Sequence, residues 1–139
     1  MPTLNISIGQ NGPVVAVVVS ADTPSADSSA AQVVMGRFLV DTGANISCID
    51  ATLVTRMGLL PLRTMNVLTP MASAQLRNLY RIGLYIPSAG QKVGWRMQAV
   101  EVLEADVVDQ GIDGLIGRDI LDQWTCIYNG STSMLTICY

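Results

Sequence analysis

Hydrophobic and polar positions alternate through much of this chain with a period of two, the spacing that lays one face of a strand against a core. In TLNISIG, Leu4, Ile6 and Ile8 alternate with Asn5 and Ser7; QNGP then supplies a turn before VVAVVVS, so the chain is predicted to open with a β-hairpin. The stretch Ala21 to Gln32 is small and polar with one proline, and reads as an exposed loop inserted between strands. A strand over Val33 to Val40 follows.

The pattern changes at DATLVTRMG, which has the marks of a short helix: Asp50 as N-cap, Arg56 in the last turn and Gly58 to end it. The residues from Leu59 to Pro87 then read as two strands joined around Thr69 to Ala74. SAGQ turns the chain into a long strand, KVGWRMQAVEVLE, where Gly94 is placed to form a bulge. ADVVDQGIDGLIGRDILDQW passes from a loop through a buried apolar triplet into a short helix starting near Arg118. TCIYNGSTSMLTICY closes the chain as a hairpin turning at Asn129-Gly130. There is no internal repeat.

Length and composition narrow the classes. A chain of 139 residues, half of them hydrophobic and only 14% charged, has enough apolar surface for one core and too little length for two ordinary lobes; residues 1–139 are read as a single domain. The net charge of -3, with one lysine (Lys92) and scattered arginines, offers no basic patch for a phosphate backbone, so no nucleic-acid partner is expected. The absence of histidine removes Ser/His and Cys/His catalysis and the commonest metal ligand. Cys48, Cys126 and Cys138 are odd in number without CxxC spacing, which suits reduced thiols better than a disulfide framework or a zinc site. No metal or cofactor is expected. The N-terminus lacks a signal-peptide pattern and no window reaches the length of a membrane span, so a cytoplasmic location away from membranes is expected.

The chemistry concentrates in RFLVDTGANISCID. Asp41 follows the apolar run Phe38, Leu39 and Val40, where an ionised carboxylate is costly unless it is hydrogen-bonded, paired or put to use. A second apolar-glycine pattern, GLIGRDIL from Gly114 to Leu121, lies some seventy residues later. The pairing of FLVDTGAN with LIGRDIL resembles the retroviral-type aspartic proteases, the retropepsins and their cellular and bacterial relatives, over most of the chain from Leu4 to Tyr139.

That resemblance implies an all-β, retropepsin-like barrel with one or two short helices, and a homodimer that hydrolyses peptide bonds in extended peptide or protein substrates. It implies that Asp41 is the catalytic carboxylate, that Thr42 hydrogen-bonds across the dimer and that substrate backbone passes close to Gly43. Ala44 and Asn45 would offer backbone groups to substrate, and the Thr69–Ala74 hairpin would be a flap whose Met71, Ala72 and Ser73 cover a bound peptide. Unlike viral flaps, this tip holds Pro70 and no glycine. Leu115 and Cys48 would face a substrate pocket, with Ile116 packing inside and Gly117 preceding the Arg118 helix. Asn45 stands where viral members carry Asp, so Arg118 is expected to meet an amide or a carbonyl in place of a carboxylate. The closing hairpin sits where relatives build their dimer interface.

Amide hydrolysis without a metal or a nucleophilic side chain needs a base to activate water and an acid to protonate the carbonyl oxygen, which two carboxylates sharing a proton supply; aspartic protease dyads are a standard case. The chain carries one Asp-Thr-Gly, and Asp113-Gly114 lacks the preceding strand and the threonine. The second carboxylate is therefore expected from another copy. Two rival readings remain: a non-catalytic dimer of this fold acting as a peptide-binding or assembly module, and an unrelated β-barrel with a chance Asp-Thr-Gly.

Overall fold

A computed structural model describes residues 1–22, 33–69, 72–88, 90 and 94–139. The strands are β1 (Thr3–Gly9), β2 (Gly12–Ala21), β3 (Val33–Val40), β4 (Cys48–Asp50), β5 (Arg63–Thr69), β6 (Ala72–Ile86), β7 (Trp95–Ala105), β8 (Gly114–Ile116), β9 (Thr125–Asn129) and β10 (Met134–Cys138). The helices are α1 (Ala51–Met57) and α2 (Arg118–Leu121), with a 3-10 turn over Val108–Gln110 that the sequence pattern does not signal. The described strands form one sheet in the order β5-β6-β7-β4-β8-β3-β2-β1-β10-β9. An added β6–β2 pairing closes β6, β7, β4, β8, β3 and β2 into a barrel.

Period-two patterning explains the core. Along β2, Val15, Val17 and Val19 are buried, and along β3 Val34, Phe38 and Val40 point inward while Val33, Met35 and Arg37 are exposed. Phe38, Ile49, Ile82, Leu84, Ile116 and Val102 are fully enclosed; each such side chain contributes about 1.5–3 kcal/mol relative to leaving it in water. The predicted α1 is found as read: Asp50 caps it by accepting from Thr52 N at 2.8 Å, and Gly58 ends it with φ 60°.

The opening hairpin is found as read but is short, pairing Ile8 with Pro13 and Gly9 with Gly12, because β1 spends most of its length beside β10. Several expectations are corrected. The bulge of β7 lies between Met97 and Val100, where Ala99 has φ 57°, and not at Gly94. Gly94 answers a different need, since a Cβ there would lie 2.3 Å from the Ile86 carbonyl oxygen. The closing hairpin turns through the four residues 130–133, not a two-residue turn: Asn129 Oδ1 accepts from Ser131 Oγ at 2.7 Å, and Ser133 takes φ 50°. Of the predicted loop insertion, residues 23–32 lie outside the described residues; Ala21 itself belongs to β2. No helix among the described residues is long and apolar enough to cross a membrane.

Candidate active site

The two sequence motifs meet in the barrel wall. β3 and β8 run parallel, with Phe38 opposite Gly114, Leu39 opposite Leu115 and Val40 opposite Ile116. Asp41 leaves β3 with its amide donating to Ile116 O at 2.9 Å. Segments seventy residues apart are thereby fixed side by side, and the loop that begins at Asp41 must cross the start of α2.

Asp41 is half-buried, and Thr42 and Gly43 are exposed. The Asp41 carboxylate accepts from Gly43 N at 2.8 Å, and no cation pairs with it among the described residues. A Cβ on residue 43 would lie 3.0 Å from that carboxylate oxygen, so glycine gives the loop its close return. Of the three ways to satisfy a carboxylate here, the described residues offer no pairing and partial hydrogen bonding, which leaves the group open to chemistry.

The carbonyls of Ala44 and Asn45 do not stand free for a ligand: Arg118 N donates to Ala44 O at 2.9 Å and Asp119 N to Asn45 O at 3.3 Å. These are the first amides of α2, which lack partners inside the helix. The Arg118 guanidinium donates to Asn45 Oδ1, the amide contact expected where viral members have an ion pair. A Cβ on Gly117 would lie within 2.9–3.0 Å of the Ala44, Ile46 and Ser47 backbone, so glycine is required for this approach.

A cleft of about 460 Å³ opens beside the loop. Gly43, Ala44, Asn45, Ile46 and Cys48 form one side, Met65, Asn66, Val67 and Leu68 of β5 the other, and Leu103 contributes from β7. Cys48 therefore faces the cleft. Leu115 does not line it; half-buried on β8, it sits between Leu39 and Cys48 in the ladder. Ile116 is fully buried. Ser73 is exposed on β6 and outside the lining, Ala72 pairs with Thr69 at the hairpin end, and Met71 lies outside the described residues.

Burial pushes the Cys48 thiol up to about 11, with the charges of Asp119 and Asp41 adding to the effect. It stays protonated at neutral pH and is no nucleophile. The other acidic residues near the motifs are committed elsewhere. Asp113 accepts from Arg37 N at 2.8 Å. Asp50, 1% exposed, accepts from Thr52 N, Thr52 Oγ1, Val107 N and Val108 N at 2.6–2.8 Å. Burial alone would raise its pKa, but these donors outweigh it and hold the carboxyl below the ordinary value.

Sequence reasoning missed Ser47 and Asp119. Ser47 is fully buried; its hydroxyl donates to Asp119 Oδ1 at 2.8 Å and accepts from Gly117 N at 2.9 Å, while its amide reaches both Asp119 oxygens at 3.0 Å. A lone serine between Ile46 and Cys48 was the available signal. Its partner could not be read, because nothing local links it to Asp119.

A sequence model of a family described as aspartyl protease matches residues 31–120. Among solved structures, the chain is similar to a retropepsin-like aspartic protease from Rickettsia conorii, with TM-score 0.62 and 15% identity over 99% of this chain and 90% of that one. At that identity the likeness speaks for the fold. No curated protein matches the sequence.

Proposed function

We propose that this chain, which belongs to the aspartyl protease family and has a retropepsin-like fold, is an endopeptidase acting as a two-fold homodimer. The observation that carries this reading is the Asp41 carboxylate, held on a loop braced by the second motif, unpaired among the described residues, with Gly43 and Ala44 of its loop lining a cleft.

A single carboxylate cannot serve as base and acid in one addition step; Asp50 is buried and accepts from four donors, and Asp113 is turned to Arg37 N. The second carboxylate is then Asp41 of another copy. One Asp41 takes a proton from water as its oxygen attacks the scissile carbonyl carbon, and the mate gives its proton to the carbonyl oxygen. The tetrahedral diol collapses as the first carboxyl gives its proton to the leaving nitrogen, the C–N bond breaks, and the mate's carboxylate takes a proton from a diol hydroxyl, which restores the shared proton. Thr42, exposed beside Asp41, is placed in this reading to bond the partner loop.

A surface for the second copy is available. β9 lies at the end of the strand order, all five of its residues are exposed, and Ile127 and Tyr128 are 56% and 65% exposed. Such an edge is suited to antiparallel addition of a like strand. The β5–β6 hairpin, whose Leu68 lines the cleft while 82% exposed, acts as the flap over an extended peptide. The free thiols fit a reducing, cytoplasmic setting.

The test is cleavage of a diverse peptide mixture across pH by the wild type and by Asp41→Asn, with oligomeric state measured in the same buffers. Cleavage by the wild type alone, both proteins being folded dimers, supports the reading. Dimers that bind peptides without cutting them would make the protein a binding module, and a wild type that is monomeric at all concentrations yet active would overturn the shared dyad.

A further inference from the structure

We infer, on the protease reading above, that Asp119 is a positioning residue for the catalytic loop, acting through the buried hydroxyl of Ser47, and that the Arg118–Asn45 contact is secondary to it. The loop from Asp41 to Ser47 has no strand ladder of its own, so its shape is set by what it touches. At its start Asp41 N is bonded to Ile116 O. At its end every polar group of Ser47 is engaged: the carbonyl accepts from Leu103 N at 2.9 Å, the amide meets both Asp119 oxygens, and the hydroxyl bridges Gly117 N and Asp119 Oδ1.

Asp119 is matched to this task by charge. Its carboxylate faces Ser47 N, Ser47 Oγ and, at 3.0 Å, Ile120 N, all of them donors. Hydrogen bonds to an ionised acceptor are about twice as strong as neutral ones. An asparagine would keep one acceptor and turn an NH2 group toward an N–H. Asp119 also acts electrostatically on Cys48, as Asp41 does, so the clamp lies close to the floor of the site. Asp119 is exposed on its outer side, but its partner Ser47 is fully buried, whereas Arg118 and Asn45 are both exposed and water competes for each of them.

The two anchor points, Ile116 and Asp119, flank Gly117, and no side chain fits at 117 without displacing the loop backbone. Loss of the Ser47–Asp119 clamp leaves the far end of the loop to Leu103 N and the first amides of α2, a looser hold on the loop that sets the Asp41 carboxylate against its mate. A misplaced catalytic group costs turnover more than binding.

The test compares Ser47→Ala, Asp119→Asn and Arg118→Ala with the wild type in the full chain, measuring kcat and KM on one cleaved peptide, dimer content, and amide exchange of segment 41–47 by mass spectrometry. Ser47→Ala and Asp119→Asn are expected to lose roughly 10- to 100-fold in kcat with KM little changed. Exchange over 41–47 should speed up while β2 stays protected, and Arg118→Ala should lose less on both counts. Folded dimers with unchanged kcat, a loss confined to KM, or a larger loss in Arg118→Ala would overturn the inference. Should Ser47→Ala fail to fold, Ser47→Cys keeps the volume with a much weaker hydrogen-bonding group and takes its place. If even the wild type cuts nothing, the protease reading falls and exchange alone decides: faster exchange over 41–47 upholds the clamp, and unchanged exchange removes it.

Discussion

Gly114 lies directly beside Phe38 in the parallel pairing of β8 with β3, and a methyl carbon at 114 would stand 2.6 Å from the Phe38 ring and 2.4 Å from the Cys48 carbonyl oxygen. The glycine lets a large aromatic fill the barrel directly behind the strand that presents Asp41. Gly114→Ala is expected to destabilise the fold by about 1–3 kcal/mol through overpacking. Urea unfolding followed by fluorescence measures this, and an unchanged midpoint would show that the ring relaxes freely.

Ile127→Lys places a charge on the exposed edge strand β9, where it cannot disturb the core. If β9 is the dimer edge, the variant should remain folded but sediment as a monomer at concentrations where the wild type is dimeric, with activity falling in proportion. A dimer of unchanged affinity would move the interface elsewhere on the surface.

Cys48 should react slowly with alkylating agents. With its thiol pushed up to about 11, only about one molecule in a thousand carries the thiolate at pH 8, whereas Cys126 is exposed. Iodoacetamide followed by peptide mapping should label Cys126 first. Replacing Cys48 by Phe should fill the cleft shared with Val67 and Leu103 and raise KM for peptides with bulky side chains far more than it lowers kcat.

Asp50 ties α1 to the segment that follows β7, and its carboxyl is held below the ordinary value of 3.8. Because the folded pKa is the lower one, the contribution is complete above the unfolded value and is lost as pH falls from about 3.8 through the folded value. Thermal midpoints should therefore drop below about pH 4 in the wild type. Asp50→Asn should be less stable at neutral pH, by about 1–3 kcal/mol for each donor left stranded, and should show a shallower acid limb. A parallel decline in both proteins would place the acid sensitivity elsewhere.

By itself the sequence determined what is local. Strand β3, helix α1 with its Asp50 and Gly58 caps, the start of α2 near Arg118 and the Asp41 loop all follow from period, capping chemistry and glycine placement, which act between residues a few positions apart. The Arg118–Asn45 contact was also legible, through the likeness of two short motifs. Only the tertiary structure decided which strands pair. Neither the parallel union of β3 with β8 nor the β6–β2 closure is written in any single segment, because alternation fixes the buried face of a strand and not its neighbour. For the same reason the bulge moved from Gly94 to Ala99, Leu115 stayed out of the cleft that β5 helps to line, and Ser47 found its carboxylate partner at Asp119, seventy-two residues away.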